Sequence, residues 1–248
     1  MSSTNSQHGE DRMIKVRDKD VIRLHWFNAF CWFALVLTGF GIISGDFVRL
    51  VPAFWPTFLQ NLFGGNANLA LVHAIGGIIW ALVFVVYSIV NWQRITKPFL
   101  QQVISITPKS VLNDFWSMTI TLAHLFGLMR NTPTPPVKGR YNGAQRLLGT
   151  MIIVCSVAIA LSGFYLFAGP KLLDFASNPM YGAIFRAALA VHASSVLLVL
   201  IGLIAHIYFA VIEEREALES MKSGYAKASF LEHHSPAWYA ELQKENKA

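Results

Sequence analysis

Four stretches of this chain are long and apolar enough to cross a lipid bilayer: about 21–44, 68–91, 147–168 and 187–212. Crossing a hydrocarbon core takes about 20 helical residues. Inside that core every backbone N–H and C=O must be satisfied within the protein, so the options are helices and closed barrels. Uninterrupted runs of this length are helices. The composition agrees, because 54% of the 248 residues are hydrophobic and only 14% charged, whereas a soluble domain carries roughly a quarter charged residues. The expectation is an all-α, multi-pass integral-membrane four-helix bundle. It would occupy residues 1–212 as one domain, and 213–248 would form a C-terminal tail. Residues Met1–Asp20 are polar and lack the apolar core of a signal peptide, so the first span is expected to be retained.

A fifth stretch, about 108–130, is ambiguous. Val111, Phe115, Met118, Leu122, Leu125 and Met129 recur at helical spacing, while Asn113, Asp114, Ser117, Thr121 and His124 supply a polar face. That pattern predicts an amphipathic helix lying in the membrane interface between spans two and three. Charge supports four spans. With four, 17 of the 20 Lys and Arg residues share one side, leaving only Arg49, Lys171 and Arg186 on the other. The positive-inside rule then puts both termini in the cytoplasm of a bacterial cell, with the chain in the inner membrane. The net charge of +6 therefore reads as topology, and no nucleic-acid-binding motif accompanies it. Cys31 and Cys155 both fall inside spans and read as buried free thiols; no C-x-x-C-H sequence is present for covalent haem attachment.

Four of the eight histidines lie in the spans, where ionisable residues are costly and usually functional. His8, His233 and His234 belong to polar tails, and His124 to the amphipathic helix. Depth pairs the other four. His25 is near the cytoplasmic start of span one, His73 near the outer end of span two. His192 and His206 share span four, and their 14-residue spacing separates them by about 21 Å at roughly 40° of phase. They thus project from one face at two levels, His192 opposite His73 and His206 opposite His25. Two bis-imidazole sites suit two low-spin b haems for electron transfer, since six-coordinate iron has no open position. Zinc or copper would need three or four converging ligands. A proton relay usually includes buried carboxylates, and the spans have none. A histidine-using transporter or a structural anchor is the reading from a different class. One internal echo links the halves: Leu37-Thr38-Gly39-Phe40 in span one resembles Leu161-Ser162-Gly163-Phe164 in span three. Helix packing through small residues and close approach of a porphyrin face both account for it.

These residues resemble the gamma, cytochrome b subunit of membrane-bound respiratory formate dehydrogenases over nearly the whole chain. The likeness rests on Arg23-Leu24-His25-Trp26, on the His192/His206 spacing, on Arg140-Tyr141-Asn142-Gly143-Ala144-Gln145-Arg146, and on the tail His233-His234-Ser235-Pro236-Ala237-Trp238-Tyr239. It implies a complex with a molybdenum- or tungsten-containing catalytic subunit and an iron–sulfur subunit, open to higher oligomerisation, in anaerobic respiration. This chain would have no catalytic site for formate itself. Electrons would enter an outer haem on His73 and His192, pass to an inner haem on His25 and His206, and reduce a quinone (menaquinone or ubiquinone). The resemblance puts the quinone beside Asn142, Gln145 and His206. Arg23 is a candidate partner for an inner-haem propionate, and Arg146 is favoured as an interfacial anchor. One departure is visible: the family commonly has Ala-Gly between the Asn and Gln, and this chain has Gly143-Ala144. The cytochrome b of a hydrogenase or of a thiosulfate/polysulfide reductase is the alternative within the same architecture.

Overall fold

The computed structural model describes residues 12–45, 49–125, 127–128, 139–175 and 177–245. Among these, four helices are long and apolar enough to cross a membrane. They are α1 (Lys19–Ile42), α3 (Asn66–Val90), α6 (Gly143–Leu172) and α7 (Pro179–Tyr208). Shorter helices connect and follow them: α2 (Phe54–Phe63), α4 (Lys97–Val103), α5 (Pro108–Leu125), α8 (Arg215–Ser223), α9 (Ala228–His234) and α10 (Pro236–Glu245). Single π-helical turns, Trp92–Thr96 and Phe209–Glu213, follow α3 and α7. Large aliphatic side chains stand outward on the long helices, with Ile89 and Leu161 each 69% exposed and Ile204 70%. Water would not tolerate so much contiguous apolar surface, whereas lipid is its natural solvent, so the chain is a multi-pass membrane protein.

The first two long helices lie within two or three residues of the expected spans. α7 begins about eight residues earlier, and its sequence explains why. The Asn178 side chain accepts a hydrogen bond from the Met180 N–H at 2.9 Å, and Pro179 occupies the first helical position, where its missing N–H costs nothing. Hydropathy marks where lipid begins; caps mark where the helix begins. The α2–α3 connection depends on glycine, because Gly64 and Gly65 have φ of 74° and 121°, a region that side chains disfavour.

The chain packs as two compact units. One comprises residues 23–98 and 151–202. Its core is Cys31, Trp32, Trp80, Cys155 and Val199, with the Trp80 Nε1–H donating to Asn28 Oδ1 at 2.8 Å. Both cysteines are free and buried. α2 folds back over the end of α1: Trp55 Nε1 donates to the Leu37 carbonyl at 3.1 Å and Gln60 Nε2 to the Gly41 carbonyl at 3.0 Å. The Gly41 carbonyl lies in the last turn of α1, where the helix runs out of its own donors.

The other unit comprises the described parts of 1–22, 99–150 and 203–248. Residues beyond 212, expected only as a tail, fold against the start of the chain. Strand β1 (Met13–Lys15) pairs antiparallel with β2 (Tyr225–Lys227), Ile14 opposite Ala226, and Ile14, Ala226 and Leu231 form a small core joined by Trp238 and Tyr239. α5 is not among the four long apolar helices, and the side chains of Thr121, Leu122 and Leu125 and residue Met129, which belong to its expected faces, lie outside the described residues. The helix packs on the first turn of α6. A Cβ at Gly143 would stand 2.6 Å from the Asp114 carbonyl oxygen, and Asp114 pairs with Arg146 at 3.1 Å.

Candidate metal centre

Two helical hairpins of the first unit, α1 with α3 and α6 with α7, present His73 and His192 to each other. Their ring centroids are 6.3 Å apart with planes at 72°. Two imidazoles bound trans through Nε2 to one metal, each nitrogen about 2 Å from it and each ring centre about 1 Å further, have centroids about 6 Å apart. Coordination through Nε2 is indifferent to rotation of a ring about its bond to the metal. The pair therefore fits an iron between two axial imidazoles.

Tautomer is as important as distance, because only an unprotonated Nε2 can bind a metal. His192 Nδ1 lies 3.2 Å from the Ile159 carbonyl oxygen. A carbonyl can only accept, so Nδ1 carries the proton and Nε2 is left with its lone pair. His73 Nδ1 lies 2.9 Å from Thr38 Oγ1. His192 Nδ1 also meets a hydroxyl, Ser162 Oγ at 3.2 Å. Those hydroxyls donate to carbonyls one turn earlier in their own helices, Thr38 to Ala34 at 2.8 Å and Ser162 to Ala158 at 2.6 Å.

The echo between the hairpins now has a physical meaning. A Cβ on Gly39 would stand 3.3 Å from His73 Cε1, and one on Gly163 would stand 3.0 Å from His192 Cε1. In each hairpin a hydroxyl grips the imidazole and the next residue, a glycine, makes room for it. The correspondence continues two turns along each helix. Cys31 and Cys155 precede the hydroxyl residues by seven, and Trp80 and Val199 follow the histidines by seven; all four meet in the core. Gly76 and Gly77 are loosely surrounded, an added Cβ meeting only Leu35 Cδ2 at 3.4 and 4.0 Å.

The other expected site residues are distributed as follows. His25, half-buried on α1 with its ring edge-on to Trp26, and Arg23, exposed, belong to the unit that holds His73. His206, Asn142 and Gln145 belong to the other. Asn142 and Gln145 form a reciprocal capping box at the start of α6: the Gln145 N–H donates to Asn142 Oδ1 at 2.8 Å, and the Asn142 N–H to Gln145 Oε1 at 3.0 Å. Capping uses the oxygen of each carboxamide and leaves the NH2 groups as donors for another acceptor. His233 is exposed and His234 stacks on Phe230 at 4.2 Å. His8 and the side chain of His124 lie outside the described residues. Among the described residues no three His, Cys, Asp or Glu side chains are grouped to hold a metal ion.

The sequence did not single out Arg17. It lies within electrostatic reach of His206 and donates through Nε to Ser220 Oγ at 3.4 Å. Burial lowers its pKa from the ordinary value, Tyr141 beside it raises it, and the neighbouring Arg140 charge lowers it. Arg140 in turn lies over the Trp238 ring at 4.8 Å. The signal in the sequence was its place just before span one, shared with Lys15 and Lys19.

Four apolar helices and two facing imidazoles, His73 and His192, suit a membrane-bound b-type cytochrome. The chain matches the model of the prokaryotic cytochrome b561 family over residues 17–224 and belongs to that family, which implies haem b. It is similar to the formate dehydrogenase cytochrome b556(fdo) subunit of Escherichia coli K12, at 23% identity over 89% of each chain. It is also similar to the formate dehydrogenase cytochrome b556 subunit of Haemophilus influenzae, at 20% identity over 88% of this chain and 78% of that one.

Proposed function

We propose that this chain is the membrane-anchoring dihaem cytochrome b subunit of a respiratory formate dehydrogenase, working with a molybdenum- or tungsten-containing catalytic subunit and an iron–sulfur subunit. The observation that carries the reading is the His73–His192 pair, 6.3 Å between centroids with both Nδ1 atoms engaged. The names of the similar proteins supply the complex. His73 and His192 hold the outer haem, His25 and His206 the inner one. Bound at these sites, the haems supply one-electron conduction from the iron–sulfur subunit to a quinone.

The dihaem domain is 1–212, with 213–248 on the cytoplasmic side beside both termini, in the bacterial inner membrane. α5 lies in the cytoplasmic membrane interface. Asn142 and Gln145 hold a quinone oxygen through their carboxamide N–H groups, next to His206, and connect it to cytoplasmic water for proton uptake. Arg23 pairs with an inner-haem propionate, and Arg17, half-buried near His206, is a second cation for that role. The expected isolate is a three-subunit complex with two b haems per copy of this chain. Tagging the chain, purifying it in mild detergent, identifying co-purified subunits and measuring haem, molybdenum and tungsten tests this. One haem per chain, or a hydrogenase large subunit as the partner, would sink the proposal.

A further inference from the structure

We propose that Thr38 and Ser162 are paired positioning residues that fix the tautomer of His73 and His192 and set how strongly the two imidazoles donate to the outer iron. The proposal rests on the reading of those histidines as haem ligands. A hydroxyl has one proton. In Thr38 it goes to the Ala34 carbonyl and in Ser162 to the Ala158 carbonyl. Toward the histidine each oxygen is therefore an acceptor, and Nδ1–H must be the donor.

Each histidine faces one such hydroxyl, Thr38 Oγ1 at 2.9 Å and Ser162 Oγ at 3.2 Å, and His192 Nδ1 also lies 3.2 Å from the Ile159 carbonyl. The room is matched as well, by Gly39 and Gly163. Donation from Nδ1–H shifts electron density to Nε2 and makes it a more basic ligand, the usual effect of a metal-bound histidine's outer partner. A more basic pair of axial ligands favours ferric over ferrous iron. Neutral acceptors polarise the imidazole less than a carboxylate would, so this site is tuned by two moderate hydroxyl contacts, one from each hairpin.

Removing the Ser162 hydroxyl leaves the Ile159 carbonyl and so keeps the tautomer, and removing the Thr38 hydroxyl takes away the 2.9 Å acceptor of His73 Nδ1; in both cases the ligand becomes less basic. In the purified complex, Thr38→Val and Ser162→Ala should each raise the midpoint potential of the same haem. The ferrous-to-ferric ratio at fixed ambient potential should shift on the order of threefold to tenfold, tenfold corresponding to about 59 mV for one electron. Thr38→Ser, which keeps the hydroxyl, should restore the wild-type value. His73→Ala identifies the haem concerned and separates the two ideas. If His73→Ala leaves both haems in place, the ligand assignment falls and this proposal with it. If it removes one haem, yet Thr38→Val and Ser162→Ala leave that haem's potential and low-spin electron paramagnetic resonance signal unchanged, the ligands stand and the positioning role is overturned. A shift confined to the haem that survives in His73→Ala would overturn it equally.

Discussion

Gly143→Ala is the sharpest probe of how α6 begins. A methyl there would stand 2.6 Å from the Asp114 carbonyl oxygen, 2.9 Å from Ser117 Cβ and 3.0 Å from Asp114 Cα. Even a close carbon–oxygen contact needs about 3.3 Å, so α5 and α6 must part by about 0.7 Å. Two of the three obstacles are backbone atoms, which no rotamer change can move aside. Overpacking of this kind costs about 1–3 kcal/mol, against at most about 1 kcal/mol gained from alanine's better helix propensity. The net expectation is a loss of about 1–2 kcal/mol. The separation would also stretch the 3.1 Å Asp114–Arg146 pair and tilt the Asn142–Gln145 box on either side of the substitution. Misplacement of binding groups by about 1 Å can cost up to about 100-fold in rate, and about tenfold in quinone reduction is expected here. The assay is thermal loss of the haem absorbance in the detergent-purified complex, alongside quinone-linked formate oxidation. The double variant Gly143→Ala, Ala144→Gly restores the order common among the formate dehydrogenase gamma subunits. It should be no better than the single variant, because the obstruction is at 143. Wild-type stability and turnover in Gly143→Ala, or full recovery in the double variant, would refute the reasoning.

Further variants test the remaining contacts. His192→Ala should abolish the outer haem and leave the inner haem's spectrum in place; loss of only the inner haem in redox-resolved spectra would overturn the pairing. Asn142→Asp keeps a good N-cap while removing the carboxamide donors, so stability should hold within about 0.5 kcal/mol while quinone turnover falls. Asn142→Ala should lose turnover and also about 0.5–2 kcal/mol from the lost cap. Unchanged turnover in the Asp variant, measured with an added soluble quinone, would remove Asn142 from the pocket. Trp80→Phe deletes the 2.8 Å hydrogen bond to Asn28 and leaves that amide oxygen unpaired in the bundle, at about 1–3 kcal/mol. An unchanged midpoint for thermal haem release would show that Asn28 finds another donor.

The long helices were legible because bilayer crossing imposes both length and composition, and no tertiary contact is needed to recognise them. The β1–β2 pairing was not, because three-residue strands more than 200 positions apart carry no local pattern, and the small core around Ile14 and Leu231 exists only once the ends of the chain have met. Arg17 was hidden for the same reason. Arg17 comes near His206 beside the returning strand, its backbone N–H donating to the Gly224 carbonyl at 3.1 Å.

The histidines show where sequence reasoning stops. Depth and phase paired His73 with His192, and the rings do lie together, because a span fixes depth and a helix fixes phase. The echo of Thr38-Gly39 with Ser162-Gly163 was equally visible, yet its use depends on which neighbour each helix face meets. That fact is tertiary. Once the neighbours are known, chemistry forces the rest: a hydroxyl whose proton is spent on its own helix can only accept, so each histidine donates to it from Nδ1, and at His192 the Ile159 carbonyl, which can only accept, demands the same. The facing pair is written in two residues, but its tautomer is written in the hydroxyls and carbonyl that surround them.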